Sequence, residues 1–226
     1  MTITSSLSPT ARTTVRRGAK RAREDRRDLY DVLNSAPICQ LGVVVDGDPL
    51  VLPTAFGYDL DGPDVGGSLY IHGSVASRSI RNAPGADICL SMTVLDGLVL
   101  ARSAFHHSMN YRSAVVIGRG RLVEDPAERS HALDLIVDHA VPGRAATLRP
   151  HTRKELVATS VVAVPLAETS VKVRAGDPVD EDFDVEAGGW SGVLPLRLAA
   201  GDLQTATDAS GEPVPAHVKT RRAALA

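Results

Sequence analysis

Short blocks of alternating or β-branched apolar residues, broken by Asp, Gly and Pro, dominate the chain. Residues 38–45 (ICQLGVVV) and 50–58 (LVLPTAFGY) flank Asp46-Gly47-Asp48-Pro49 and predict a β-hairpin, because Asp-Gly adopts the left-handed conformations that a tight turn needs. Upstream, Leu29, Tyr30 and Leu33 fall at helical spacing, predicting a helix over 24–33 ended by Asn34-Ser35-Ala36-Pro37. Residues 61–68 read as loop and 69–72 as a short strand, followed by a helix that Ser77 caps and Pro84-Gly85 ends. Strands are predicted over 86–95 and 98–102, joined by a turn at Asp96-Gly97, and over 111–124. Asp125-Pro126 opens a helix carrying Ala132, Leu135, Ile136 and His139, and Pro142-Gly143-Arg144 breaks it. HTRKELVATS predicts a short helix, VVAVPLAETSVKVR a strand pair around Pro165, and the last 25 or so residues a polar loop.

Six or so short strands with few helices predict a mainly β fold, a six-stranded antiparallel split β-barrel with flanking α-helices. One domain is expected over 23–197, between a disordered basic tail (1–22) and a polar C-terminal tail (198–226). Only eight of the 226 residues are Phe, Tyr or Trp, so the core must be built from Val, Leu, Ile and Ala. A net charge of −2 gives no whole-chain attraction to nucleic acid or to a membrane surface. No run approaches the roughly 20 apolar residues of a membrane span, and no apolar segment follows the basic start, so a cytoplasmic protein is expected. Cys39 and Cys89, each inside an apolar run, read as reduced buried thiols. Eight Lys and Arg lie between Arg12 and Arg27, but interleaved acids and a lack of stacking aromatics count against a nucleic-acid arm.

Two segments carry candidate chemistry. In YIHGSVASRSIRN (70–82) a strand delivers Gly73 and Ser74, then Ser77 and Arg78 at a helix start, where unpaired N–H groups and a guanidinium favour an anion such as phosphate. An ordinary cap beside a surface arginine is the bland alternative. The second segment, 95–125, packs Ser103, His106, His107, Ser108, Asn110, Tyr111, Arg112 and Ser113 between two strands where a plain loop would use Gly, Pro and Asp. Adjacent His106 and His107 point oppositely in extended chain, so at most one enters a given site and a two-histidine metal site is not expected. Ser170, Lys172 and Arg174 alternate along a strand, either lining a pocket or forming a solvated edge. Trp190 reads as a packing residue. No G-x-G-x-x-G fingerprint is present; Gly118-Arg119-Gly120 sits inside a strand pattern.

Taken together, DPLVLPTAF, LYIHGSVASRSIRN, the 95–125 run, PGR, SVKVR and WSGVLPL resemble the FMN-binding split-barrel proteins related to pyridoxamine 5'-phosphate oxidase, in the flavin-nucleotide-binding, nitroimidazole-resistance-type branch, over about residues 20–197. The resemblance implies a homodimer with FMN between subunits. Pro53 and Thr54 would lie along the ring edge, Tyr70, Ile71, His72, Gly73 and Ser74 would flank ribityl and ring, and Ser77 with Arg78 would bind the phosphate. Asn110, Tyr111, Arg112 and Ser113 would come from the partner. His72 and His107 are the candidate catalytic residues, and Lys172 and Arg174 the candidate substrate contacts. Residues that bind pyridoxal phosphate are not recognisable, which argues against vitamin B6 chemistry. The implied function is an FMN-dependent oxidoreductase passing electrons to a small electron-poor acceptor, with NAD(P)H the candidate donor; a non-catalytic flavin- or haem-binding storage or sensor protein is the alternative.

Overall fold

The computed structural model describes residues 6–8 and 10–226; positions 1–5 and 9 of the expected N-terminal tail lie outside the described residues. The strands are β1 (Ala22–Arg23), β2 (Cys39–Val45), β3 (Asp48–Thr54), β4 (Phe56–Asp59), β5 (Ser68–Ser74), β6 (Asp87–Leu100), β7 (Ser108–Arg119), β8 (Arg121–Leu122), β9 (Thr159–Pro165), β10 (Thr169–Arg174) and β11 (Gly192–Pro195). The α-helices are α1 (Arg26–Ser35), α2 (Arg78–Asn82), α3 (Pro126–Ala140), α4 (Arg153–Ala158), α5 (Asp182–Ala187) and α6 (Ala216–Ala224).

Two antiparallel sheets share one core. The larger runs β1-β10-β7-β6-β2-β3, with β11 added to β6, and the smaller runs β4-β5-β9-β8. The expected mainly β architecture with flanking helices is present, but the strands form two sheets and the larger one is not closed into a six-stranded barrel. Three backbone breaks explain the difference. The predicted 50–58 strand divides at Ala55, sending β3 and β4 to different sheets. The 111–124 strand divides at Gly120, where a Cβ would meet the Ala83 carbonyl oxygen at 2.3 Å. The strands around Pro165 do not pair with each other, because β9 joins the small sheet and β10 the large one. Conversely, Asp96-Gly97 is no turn. β6 runs straight through it with a register shift between Leu95 and Gly97, and its length lets it pair with β2 at Gln40–Gly42 and with β11 further along.

Leu29, Val32 and Leu33 of α1, Leu41 and Val43 of β2, Leu90 and Met92 of β6, and Ile71 of β5 fill the space between the sheets. On the other side of the small sheet, Ala132 and Ile136 of α3 pack on Tyr70, Val161 and Ala163. Asp125 caps α3 by accepting from Glu128 N at 2.8 Å, with Pro126 at its first turn. Among the described residues nothing covers the outer face of the large sheet in this way, and it exposes Val44 and Val51. Within the N-terminal segment Leu7 is buried, and Arg12 pairs with Glu168 and Asp87. The polar C-terminal stretch, expected as loop, contains α6, whose Arg221 donates to the Ala140 carbonyl at 3.0 Å.

Candidate functional site

β5 delivers the first set of candidates. Tyr70 and Ile71 are fully buried on its opposite faces; Ile71 fills the inter-sheet core, while the Tyr70 hydroxyl donates to Glu128 Oε1 at 3.0 Å under α3. Pairing with β4 stops at Ile71, so His72, Gly73 and Ser74 keep only β9 as strand neighbour among the described residues. His72 is half-buried, its Nδ1 is cut off from solvent, and no partner among the described residues reaches it. Burial holds the imidazole below its usual pKa, and thus neutral near pH 7. A shielded polar atom without a partner costs about 1–3 kcal/mol, so this nitrogen is the most conspicuous unsatisfied group of the site.

Gly73 lets α2 approach, since a Cβ there would sit 2.7 Å from Ile80 Cγ1. Ser77 is the residue before α2 as expected, but its hydroxyl lies 3.0 Å from Ser79 Oγ instead of capping the helix. Arg78 pairs with Asp46 in the β2–β3 turn, where Asp46 has φ 54°. Both side chains are exposed, so the pair is weak. Arg81 and Asn82 join them around a shallow cavity of about 300 Å³. Sequence reasoning missed Arg81; its spacing of three from Arg78 was the signal, placing both cations on one helix face.

Pro53 pairs with Gln40 and Thr54 with Cys39, at the end of the hairpin away from Asp46. Asp46 lies six positions beyond Gln40, about 20 Å at ~3.3 Å per residue, so Pro53 and the Arg78–Asp46 pair mark opposite ends of this hairpin.

The Asn110–Ser113 run divides by strand alternation. Arg112 donates to both oxygens of Asp96, at 3.0 and 2.9 Å, and to Ser35 Oγ at 3.0 Å, tying β7 to β6 and to the end of α1. Asn110 is buried, donating to the Gly176 carbonyl and accepting from Arg174. Tyr111 and Ser113 alternate to the other face, opposite Arg174 and Lys172 of β10. His107 is exposed with Nδ1 2.8 Å from the Ser103 carbonyl oxygen, and His106 approaches Glu181 at 3.3 Å. The structure therefore gathers His72, Gly73, Ser77 and Arg78 along β5 and α2, gathers Tyr111, Ser113, Lys172 and Arg174 on β7 and β10, and leaves His107 in an outlying loop.

Residues 25–173 match the pyridoxamine 5'-phosphate oxidase family, and the chain belongs to it. Among solved structures it is similar to the flavocytochrome Anf3 from Azotobacter vinelandii, at 35% identity and TM-score 0.85 over 95% of this chain and 98% of that one. It is also similar to the FAD and heme binding protein from Mycobacterium smegmatis, at 40% identity and TM-score 0.81 over 88% of this chain and 96% of that one. A candidate 5-nitroimidazole antibiotic resistance protein from Bacteroides thetaiotaomicron shares the fold, at 24% identity and TM-score 0.54 over 67% of this chain and 86% of that one. No curated protein matches the sequence. Among the described residues no helix is long and apolar enough to cross a membrane.

Proposed function

We propose that the protein is a dimeric flavin-binding redox protein that also holds haem, passing electrons between a reduced donor such as NAD(P)H and a small electron-poor acceptor. Family membership supports the flavin, and the two near full-length relatives, one a flavocytochrome and the other an FAD and heme binding protein, support the pairing of cofactors. The observation that carries the reading is His72 Nδ1: a neutral, shielded imidazole nitrogen without a partner, on a strand edge that β4 has vacated. Such a nitrogen suits either ligation of a haem iron, which needs its free electron pair, or a hydrogen bond to a flavin ring. When bound, flavin supplies hydride acceptance at its ring and haem supplies one-electron exchange.

In this reading His72 holds an electron pair toward the cofactor. Gly73 keeps α2 close beneath it, Arg78 and Arg81 offer their cations to a flavin phosphate, and Pro53 and Thr54 border the ring from the hairpin end. Tyr111 and Ser113, on the exposed face of the large sheet, complete the site of a second copy, and the domain over 23–197 is the working unit. FMN and FAD share the ring and first phosphate that these residues would meet; the identity of the flavin is read directly by releasing it from purified protein.

The test is the visible spectrum of the purified full-length chain, with chromatography of the released flavin and a pyridine haemochromogen assay. Flavin bands together with a Soret band support the proposal, and a colourless protein that takes up neither cofactor overturns it. His72→Ala is expected to remove the Soret band or to change the rate of flavin reduction while flavin content stays near wild type. Loss of flavin alone, with unchanged turnover per remaining flavin, would end the role given to His72.

A further inference from the structure

Eight arginines of this protein, among them Arg12, Arg102, Arg121 and Arg222, sit in ion pairs with carboxylates. Others have no carboxylate partner among the described residues, and in one district such cations are gathered together. The segment 16–23 (RRGAKRAR) holds five cations and no acid, and it lies against β10, which adds Lys172 and Arg174. Among the described residues none of these seven cations has a carboxylate within ion-pair distance, although acids outnumber bases in the chain, 27 to 25.

The cations are also crowded. A Cβ on Gly18 would lie 3.8 Å from Arg21 Cδ and 3.9 Å from Lys172 Nζ, so both chains fold over the same glycine. Lys172 Nζ donates only to the Arg17 carbonyl, at 3.3 Å. Arg174 donates to Asn110 Oδ1 and to the Gly176 and Asp177 carbonyls, all neutral oxygens. Burial and the charge of Arg21 both press the Arg174 guanidinium below its usual pKa. Like charges gathered around a half-buried guanidinium, with no counter-ion among the described residues, are a configuration that an external anion relieves. Tyr111, the register partner of Arg174, places an aromatic ring directly beside the cluster.

We propose that Arg21, Lys172 and Arg174 form a phosphate site for the adenylate side of the diphosphate of a dinucleotide, with the Tyr111 ring as a platform for its base. Three cations match a ligand of more than one negative charge, and a ring next to them is the combination that recognises a nucleotide. The diphosphate comes either from FAD, whose flavin-side phosphate Arg78 and Arg81 of the other copy would meet, or from a pyridine-nucleotide donor. The site lies apart from the Arg78–Arg81 pair on α2, and the inference deepens the flavin reading and rests on it for the choice of ligand.

The experiment uses the full-length protein and two variants, Arg21→Gln, an exposed position, and Lys172→Gln/Arg174→Gln, with calorimetric titration of FAD, FMN, inorganic pyrophosphate and NADPH. Each lost charge-assisted contact is worth on the order of tenfold in affinity. A ten- to hundredfold weakening of FAD with FMN unchanged assigns the diphosphate to the flavin. An equal weakening of NADPH, or of its KM, with FAD unchanged assigns it to the donor. Wild-type protein that ignores both flavins yet binds pyrophosphate in an Arg21-dependent way keeps the phosphate site and overturns the flavin reading. Unchanged binding of FAD, NADPH and pyrophosphate in both variants overturns the proposal, as does a single-stranded oligonucleotide being the only probe that the variants weaken.

Discussion

Arg121 lies between two carboxylates, donating to Asp64 through Nε at 3.0 Å and Nη2 at 2.8 Å and to Glu128 through Nη1 at 3.0 Å and Nη2 at 2.6 Å. Tyr70 and Ser68 of β5 complete the network by donating to Glu128 and Asp64. One guanidinium thus joins the 60–67 loop, β8, β5 and the first turn of α3, and so fixes the strand on which His72 stands. Arg121→Ala would leave two largely buried carboxylates facing each other without a cation, at a cost of about 3–5 kcal/mol, to be read as a lower midpoint in urea unfolding.

The same network sets an acid limit. Burial pushes the Asp64 pKa up, but the hydrogen bonds from Arg121 and Ser68 outweigh it and hold the carboxyl below its ordinary value. The associated stability is fully present above the unfolded value near pH ~3.9 and is lost as the pH falls through the lower folded value. Unfolding midpoints measured from pH 6 down to pH 2 should fall on the acid side, and Arg121→Ala should flatten that decline. An equally steep decline in the variant would place the acid-sensitive group elsewhere.

Gly57 of β4 meets the backbone of α3 head-on, since a Cβ would lie 2.7 Å from both Ile136 N and Leu135 C. Helix backbone cannot yield as a side-chain tip can, so Gly57→Ala must lift α3 from the small sheet. A cost of about 1–3 kcal/mol is expected, with hydrogen exchange in α3 speeding up more than in β6 or β7.

Element types were legible wherever a local signal carried them: the Asp-Gly hairpin turn at 46–47, the Asp125-Pro126 helix start, and the apolar spacing of α1 and α3. Sheet membership was not, because it depends on non-local close approaches at Ala55 and Gly120 that leave no periodic trace. Asp96-Gly97 has the composition of a turn, but the Asp96 carboxylate is held by Arg112 and Val193 of β11 packs where a Gly97 side chain would stand, a Cβ there lying 3.0 Å from Val193 Cγ1, so tertiary contacts override the turn propensity. In the site, the strand-to-helix passage from His72 to Arg78 was legible as a continuous motif. The contiguous Asn110–Ser113 run was read as one surface, whereas alternation along β7 commits Asn110 and Arg112 to internal bonds and leaves Tyr111 and Ser113 to face outward. The cation cluster around Gly18 escaped notice because its members are about 150 positions apart in sequence and meet only through the pairing of β1 with β10.

Arg78 is expected to anchor a flavin phosphate once released from Asp46, a step made easy by the exposure of that pair. Arg78→Ala should weaken FMN by roughly ten- to a hundredfold, as the loss of a charge-assisted contact implies, while riboflavin, which lacks the phosphate, changes little. Fluorescence-quenching titrations of both flavins decide it: equal losses would show that Arg78 supports the fold of the β2–β3 turn and that the anion binds elsewhere.

The last expectation concerns an arm that leaves its apolar side chains in solvent. Phe105 is 90% exposed, Trp190 72% and Phe183 69%, so the only tryptophan and two of the three phenylalanines lie on the surface of a chain with eight aromatic residues. The arm is nonetheless well tied. Arg102 donates to Asp180 at 2.7 Å, to Ser191 Oγ at 2.7 Å and to the Gly189 carbonyl at 3.0 Å, while β11 pairs along β6. An ordered surface that holds large apolar groups in water calls for a cover, and in the proposed dimer a second copy of the chain would supply one. Phe105→Glu should therefore shift the light-scattering mass from dimer toward monomer, and the emission of Trp190 should move to longer wavelength as its surroundings become wet. A variant that keeps the dimer mass and an unshifted emission would show that the two copies meet through another surface, the exposed Val44 and Val51 face of the large sheet being the next to mutate.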